Sequence, residues 1–206
     1  MENMTLSLAI IIITCLISIT TFSRPDKMDE LSMWPYMVKE KKQFYRFLTS
    51  GLVHADYMHL GFNMLTLYFF GRYIESAFLQ IFDSKLYYLG FYLLALVVSD
   101  IPTYIKYKND YGYRTIGASG AVSAVVFSFI LFNPWQRIGV FFIPMPAIVY
   151  GFLYLGYTIY MSRRGQGSGI NHDAHLWGAL FGIIFPLVFE PRIGPYFVDQ
   201  LLHHYR

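Results

Sequence analysis

The sequence predicts an all-α bundle of membrane-spanning helices, and three observations predict it. Of the 206 residues, 55% are hydrophobic and only 14% are charged, whereas a soluble domain carries about a quarter charged residues. Mean hydropathy is +0.40. Uncharged apolar runs occupy 4–22, 57–70, 86–99, 115–136, 138–162 and 174–189, and backbone groups in lipid must be satisfied within their own segment, so such runs become helices rather than an open sheet. The expectation is a polytopic membrane protein of six transmembrane helices. Residues 1–206 read as one domain, because no linker, repeat period or charge block divides them. The net charge of +3 is scattered and leaves no nucleic-acid footprint. Cys15 is the sole cysteine, so an internal disulfide is excluded.

Each element can be justified in order. A signal peptide needs a basic start and a small-residue cleavage site; the first run instead follows Glu2 and ends in Ser23-Arg24-Pro25, so it reads as a true membrane helix. Residues 24–53 mix Trp34, Tyr36, Phe44, Tyr45 and Phe47 with Lys39, Glu40, Lys41, Lys42 and Arg46, a composition that favours an interfacial first loop along one membrane face. A span needs roughly 20 mostly apolar residues, and the second, third and sixth runs reach that by extending a turn towards Arg72, Lys85 and Glu190. The fourth run carries Gly117, Ala121, Ala124 and Ser128, and the sixth carries Gly178 and Gly182. Facing stripes of small residues let two membrane helices approach closely.

Candidate chemistry lies on three of these elements. His59 and Asn63 are four apart, hence on one face of the second helix, and polar side chains at membrane depth face the bundle interior or a water cavity. Ser119 stands in Gly117-Ala118-Ser119-Gly120, and His175 lies three and seven residues before Gly178 and Gly182. Taken alone, Ser119 reads as a helix cap and His175 as an interfacial histidine. Close approach of the fourth and sixth helices, however, brings the two within hydrogen-bond reach. A serine hydroxyl is a weak nucleophile until an adjacent base takes its proton, and His175 is that base and then the acid for a leaving amine. Donors for an oxyanion are the Asn63 amide, a His59 ring N–H and the Ser119 backbone N–H, the last helped by the positive end of a helix dipole. Asp173 points elsewhere on the helix and is not the orienter. His54 and His59 are five apart and diverge by roughly 140° on an ideal helix, and no acidic or cysteine ligand set accompanies them, so no metal is expected.

Three motifs, Gly-x-Ser-Gly at Gly117 to Gly120, Ala-His-x-x-Gly-x-x-x-Gly at Ala174 to Gly182, and the second-helix set His54, His59 and Asn63, together resemble the rhomboid family of intramembrane serine proteases. The resemblance implies a Ser119–His175 dyad, oxyanion support from His59 and Asn63 beside Gly117, and cleavage of peptide bonds in or next to a substrate's transmembrane helix. It implies transmembrane protein substrates and the lipid bilayer as partners, and no metal or organic cofactor. Two departures stand out. Tyr45-Arg46 occupies the place of the family's Trp-Arg pair, and Ser123 occupies the place, one turn after the serine, where many members carry a tyrosine that supports the histidine ring. Another side chain or a water must then orient His175. The glycine-rich loop 163–171 resembles the family's cap over the site, and Phe141, Phe142, Phe152 and Tyr154 resemble its lateral gate. The family arrangement puts the active site on the extracytoplasmic side, although Lys and Arg are more numerous on the first, third and fifth loops, against the positive-inside tendency. The compact form without added domains suggests a bacterial inner membrane. The alternative readings are a catalytically silent relative that binds transmembrane helices, and a small transporter or channel, against which no inverted repeat is visible.

Overall fold

The structure, a computed structural model, describes residues 5–140, 143–164 and 169–203. It is mostly helical, in the order α1 (Leu6–Thr21), α2 (Pro25–Leu31), α3 (Pro35–Lys41), α4 (Arg46–Thr49), α5 (Tyr57–Thr66), α6 (Arg72–Phe82), α7 (Lys85–Tyr107), α8 (Ser119–Phe132), α9 (Ala147–Arg164), α10 (His172–Phe189) and α11 (Ile193–Leu202). A two-stranded hairpin, β1 (Arg137–Val140) and β2 (Ile143–Pro146), precedes α9.

Among the described residues two helices, Lys85–Tyr107 and His172–Phe189, are long and apolar enough to cross a membrane by length and composition. α1 and α8 are apolar but have only 16 and 14 residues. The second run continues well past residue 70: α5 passes through a π turn at Leu67–Gly71 into α6. Gly71 is required in that turn, because a Cβ there would lie 2.7 Å from Tyr88 Oη and 3.2 Å from Ser7 Oγ. The run 138–162 is not one helix. Its first part pairs as an antiparallel hairpin, with Ile138 opposite Met145 and Gly139 opposite Pro144; Pro144 and Pro146 bias the residues before them to extended backbone, and the helix starts only at Ala147.

Polarity is arranged as lipid would impose. Large apolar side chains stand exposed on the outer helices, among them Leu16, Leu86, Phe152 and Val188, while Ser7, Thr14, Ser18, Asn63, Glu75, Ser99, Thr103 and Ser128 are buried. α8 is the central element: every residue from Gly120 to Phe132 is buried, as expected of a helix apolar all round. It packs on α7 and α10. A Cβ on Gly178 would lie 2.7 Å from the Gly120 carbonyl carbon, and one on Gly182 would lie 2.7 Å from the Ala124 carbonyl carbon and Cα. α8 and α10 are therefore in main-chain contact along the glycine stripe, and Ser128 Oγ donates to the Gly182 carbonyl at 2.6 Å.

At the other end of the bundle, buried Glu75 of α6 caps α1. Its carboxylate accepts from the backbone N–H groups of Leu6 (2.8 Å) and Ser7 (2.9 Å) and from Ser7 Oγ (2.8 Å), satisfying orphan donors of a helix start. The first loop folds into α2, α3, α4 and a 3₁₀ turn at Ser50–Leu52. Its anchor is Arg46, 3% exposed, which donates to the carbonyls of Asp29 and Ser32 at 2.7 Å each. Tyr45 flanks it with a 44% exposed ring. The ring that is built into the structure is Trp34, 7% exposed, which donates to the Tyr111 carbonyl at 3.0 Å and carries the Arg114 guanidinium 3.8 Å from its centroid.

Candidate active site

Ser119 is the first residue of α8 and follows a chain reversal that only Gly117 tolerates. Gly117 has φ +116°, and a Cβ there would lie 2.7 Å from His59 Cε1 and 2.8 Å from Nε2. Its N–H donates to the Ser50 carbonyl at 2.9 Å, and a short bridge between Met33 and Thr115 ties the same segment to the first loop. The loop thus sets the height at which α8 begins.

His175 lies in the first turn of α10. That helix start is held by Asn171, whose Oδ1 accepts from Ala174 N–H (3.1 Å) and Thr103 Oγ1 (3.0 Å), and whose Nδ2 donates to Asp100 Oδ1 (3.3 Å). Asp173 is engaged with Lys106 Nζ at 2.9 Å and with Ser162 Oγ. The consequence of the α8–α10 contact and these caps is that Ser119 Oγ and His175 Nε2 are 2.7 Å apart. A serine hydroxyl at that distance from an imidazole nitrogen is placed to lose its proton to it.

Of the other expected residues, His59 and His54 meet the segment that leads into Ser119. The His59 ring lies against Gly117, its backbone N–H capped by Asp56 Oδ1 at 2.7 Å. Asn63 is buried one turn further along α5, where one amide hydrogen is directed to the His59 carbonyl at 2.9 Å; an amide has a second. His54 is fully buried, accepts from Ala118 N–H at Nε2 (3.4 Å) and meets Ser18 Oγ at Nδ1 (3.0 Å). With Nε2 accepting, the proton lies on Nδ1, which donates to Ser18 Oγ, and the Ser18 hydroxyl in turn donates to the Leu52 carbonyl at 2.8 Å. The expected divergence of His54 and His59 does not occur: their rings meet edge to face at 4.9 Å. His54 precedes the helix, which starts at Tyr57 after the Asp56 cap, so the helical angle does not apply to it.

Ser123 is paired with a tyrosine from α9. Its Oγ and Tyr154 Oη are 2.6 Å apart, and the Tyr154 ring stacks near His175. Of the other gate residues, Phe152 is exposed, while Phe141 and Phe142 lie outside the described residues, as do residues 165–168 of the glycine-rich loop. Behind Ser119 a polar cavity of about 10 Å³ is lined by Ser50, Ser99, Asp100 and Asn171, near the lower limit for one water. It shares Thr115 and Asn171 with an open crevice of about 580 Å³ that reaches Lys106, Arg114 and Asp173. Asp100, Thr103 and Asn171 escaped sequence reasoning, although a lone carboxylate closing an apolar run and an asparagine four residues before His175 were signals.

The model of the Rhomboid domain matches residues 41–192. The chain belongs to the rhomboid family. Among its relatives, it is 34% identical over 157 residues to RHOMBOID-like protein 12, mitochondrial, of Arabidopsis thaliana, covering 69% of this chain and 45% of that one. It is 31% identical over 140 residues to the presenilin-associated rhomboid-like protein, mitochondrial, of Homo sapiens, covering 66% and 35%. It is 28% identical over 144 residues to the putative rhomboid protease YdcA of Bacillus subtilis, covering 69% and 65%. The aligned part spans less than half the length of the two mitochondrial relatives. The expectation of a bacterial inner membrane is corrected by the Arabidopsis and human relatives, whose names point to mitochondria.

Proposed function

We propose that this rhomboid-family chain is an intramembrane serine endopeptidase that cleaves peptide bonds in or next to transmembrane segments of membrane proteins. The observation that carries the reading is the 2.7 Å approach of Ser119 Oγ to His175 Nε2 across two helices in main-chain contact. In this reading residues 1–206 form one membrane domain with six spans: α1, the α5–α6 pair, α7, α8, α9 and α10. The mitochondrial relatives favour a mitochondrial membrane as its setting.

Ser119 Oγ attacks the scissile carbonyl carbon while its proton passes to His175 Nε2. The oxyanion forms beside the start of α8, where the Ser119 backbone N–H and the positive end of the helix dipole stabilise it. His59, against Gly117, and the second Asn63 amide hydrogen supply further donors. Collapse breaks the C–N bond, and His175 returns its proton to the leaving amine nitrogen. A water then attacks the acyl-enzyme carbonyl, giving its proton to His175; collapse breaks the C–Oγ bond, and His175 returns that proton to Ser119 Oγ. The polar cavity behind Ser119 is near the size of one water and lies beside an open crevice with which it shares Thr115 and Asn171. His54 acts as a strut that holds Ala118 rather than as a reacting group, and neither a metal nor an organic cofactor enters the scheme.

The test is cleavage of a single-pass substrate by the purified chain in proteoliposomes, compared with Ser119→Ala and His175→Ala. Loss of cleavage in both is expected. Cleavage that persists undiminished in Ser119→Ala refutes the dyad.

A further inference from the structure

His175 lacks the tyrosine that the family resemblance would lead one to expect one turn after the serine, since Ser123 is there. A tyrosine nevertheless reaches the imidazole from a different helix. The Tyr154 ring, from the middle of α9, lies nearly parallel to the His175 ring, with planes 20° apart and centroids at 6.2 Å, inside the range of an offset stack. Its hydroxyl shares a 2.6 Å hydrogen bond with Ser123 Oγ, in which either can donate. Phe127 and Tyr150 hold the same ring, each with centroids at 5.5 Å.

Resting on the protease reading above, we propose that Tyr154 is the positioning residue for His175, and that Ser123 serves it by fixing its hydroxyl. The small side chain at 123 leaves a space on α8 that the Tyr154 ring fills from α9. The hydroxyl-to-hydroxyl bond then sets the ring's torsion, and the ring face blocks the imidazole rotation that would carry Nε2 away from Ser119 Oγ. Tyr154 touches neither the scissile bond nor the serine; it acts through the orientation of the base. The two residues are one device, divided between two helices.

A merely structural tyrosine would alter folding without altering turnover, so the assay reads kcat, KM, the rate at which a serine-directed phosphonate labels Ser119, and Tm on the same proteoliposome preparations. Tyr154→Phe and Ser123→Ala each remove one end of the same hydrogen bond. Each is expected to lower kcat and labelling about fivefold with KM within twofold of the parent, and the double variant is expected to lose about fivefold in total rather than about 25-fold. Tyr154→Leu also removes the ring contact and is expected to lose roughly thirtyfold. Ser123→Tyr added to Tyr154→Leu, which returns a ring to α8, is expected to recover activity at least threefold. Where the leucine variants do not fold, the Phe–Ala cycle decides alone. Multiplicative losses in that cycle, or Tyr154→Leu turning over and being labelled at the parental rate, overturn the role of Tyr154. A parent that neither cleaves nor is labelled at Ser119 overturns the protease reading and this role with it.

Discussion

Replacing Gly178 by alanine perturbs the site through the backbone alone. The added Cβ would lie 2.7 Å from the Gly120 carbonyl carbon and 3.0 Å from its Cα, whereas carbon atoms rest at about 3.5–4.0 Å. Both obstacles are main chain, so no rotamer relieves them, and α10 must retreat from α8 by roughly 0.8 Å or more. Gly178 is three residues after His175, and Gly120 adjoins Ser119. The 2.7 Å between Ser119 Oγ and His175 Nε2 then lengthens to about 3.5 Å, the edge of a hydrogen bond. A misplacement of that size in a reacting pair costs about 10² in rate, and overpacking of the helix contact costs about 1–3 kcal/mol of stability. Gly178→Ala is therefore expected to lower kcat in proteoliposomes about a hundredfold, to slow phosphonate labelling of Ser119 in parallel, and to reduce Tm. Parental turnover and Tm in this variant would refute the claim that main-chain contact sets the dyad distance.

Further outcomes follow from the same geometry. Gly151→Ala places a Cβ 3.0 Å from Ile130 Cδ1, the far end of a flexible side chain, so Tm and kcat should stay near the parent's, within about 0.5 kcal/mol and twofold. Gly117→Ala meets both a positive φ and the His59 ring; a left-handed non-glycine residue alone costs about 1–2 kcal/mol, and kcat should fall by about 10² or more as His59 is displaced. Arg46→Lys keeps the charge but cannot match a guanidinium whose Nη1 donates to two carbonyls while its Nε donates to Gln43 Oε1, so proteolysis of the first loop in the native state should accelerate and activity should fall severalfold. Glu75→Ala leaves the Leu6 and Ser7 N–H groups without their acceptor and should lower stability by about 2–4 kcal/mol while the surviving folded fraction keeps its Ser119 labelling rate.

What could be read from residues alone was whatever repeats along one helix. The glycine stripe of α8 and α10 predicts their approach, because membrane helices associate by close packing, and that approach brings Ser119 to His175 without knowledge of the rest of the fold. Apolar content by itself was a poorer guide. It could not separate the hairpin at 137–146 from the helix that follows, where Pro144 and Pro146 were the local signals. Nor did it mark the π turn that carries the second run on into α6. Polar supports supplied by distant segments were illegible for a different reason. Asn171 acquires its meaning only when Asp100 and Thr103 of α7 lie beside it, and nothing in the spacing of these residues requires that. The first-loop anchor shows the same gap: Arg46 and the adjacent Tyr45, 5.5 Å from its guanidinium, were identifiable, yet the buried ring at 5.8 Å, Trp34, comes from the start of α3.

The two helices that bear on His175 are held in different ways, and the difference orders the expected effects. α10 meets α8 through main chain, at Gly178 against Gly120 and at Gly182 against Ala124, and its start is further tied to α7 by Asn171. Such contacts have one fitting geometry and yield little before they fail. α9 meets α8 through side-chain ends: Ile130 and Phe127 near Gly151, and Ser123 near Tyr154. Those ends can shift by rotamer and recover. The distance within the dyad thus depends on the stiff contact, and the orientation of its base depends on the soft one. A methyl group at Gly178 should lengthen that distance to the edge of a hydrogen bond, whereas the same group at Gly151 should leave both distance and orientation intact, and that ordering separates a site set by helix backbones from one set by its side chains.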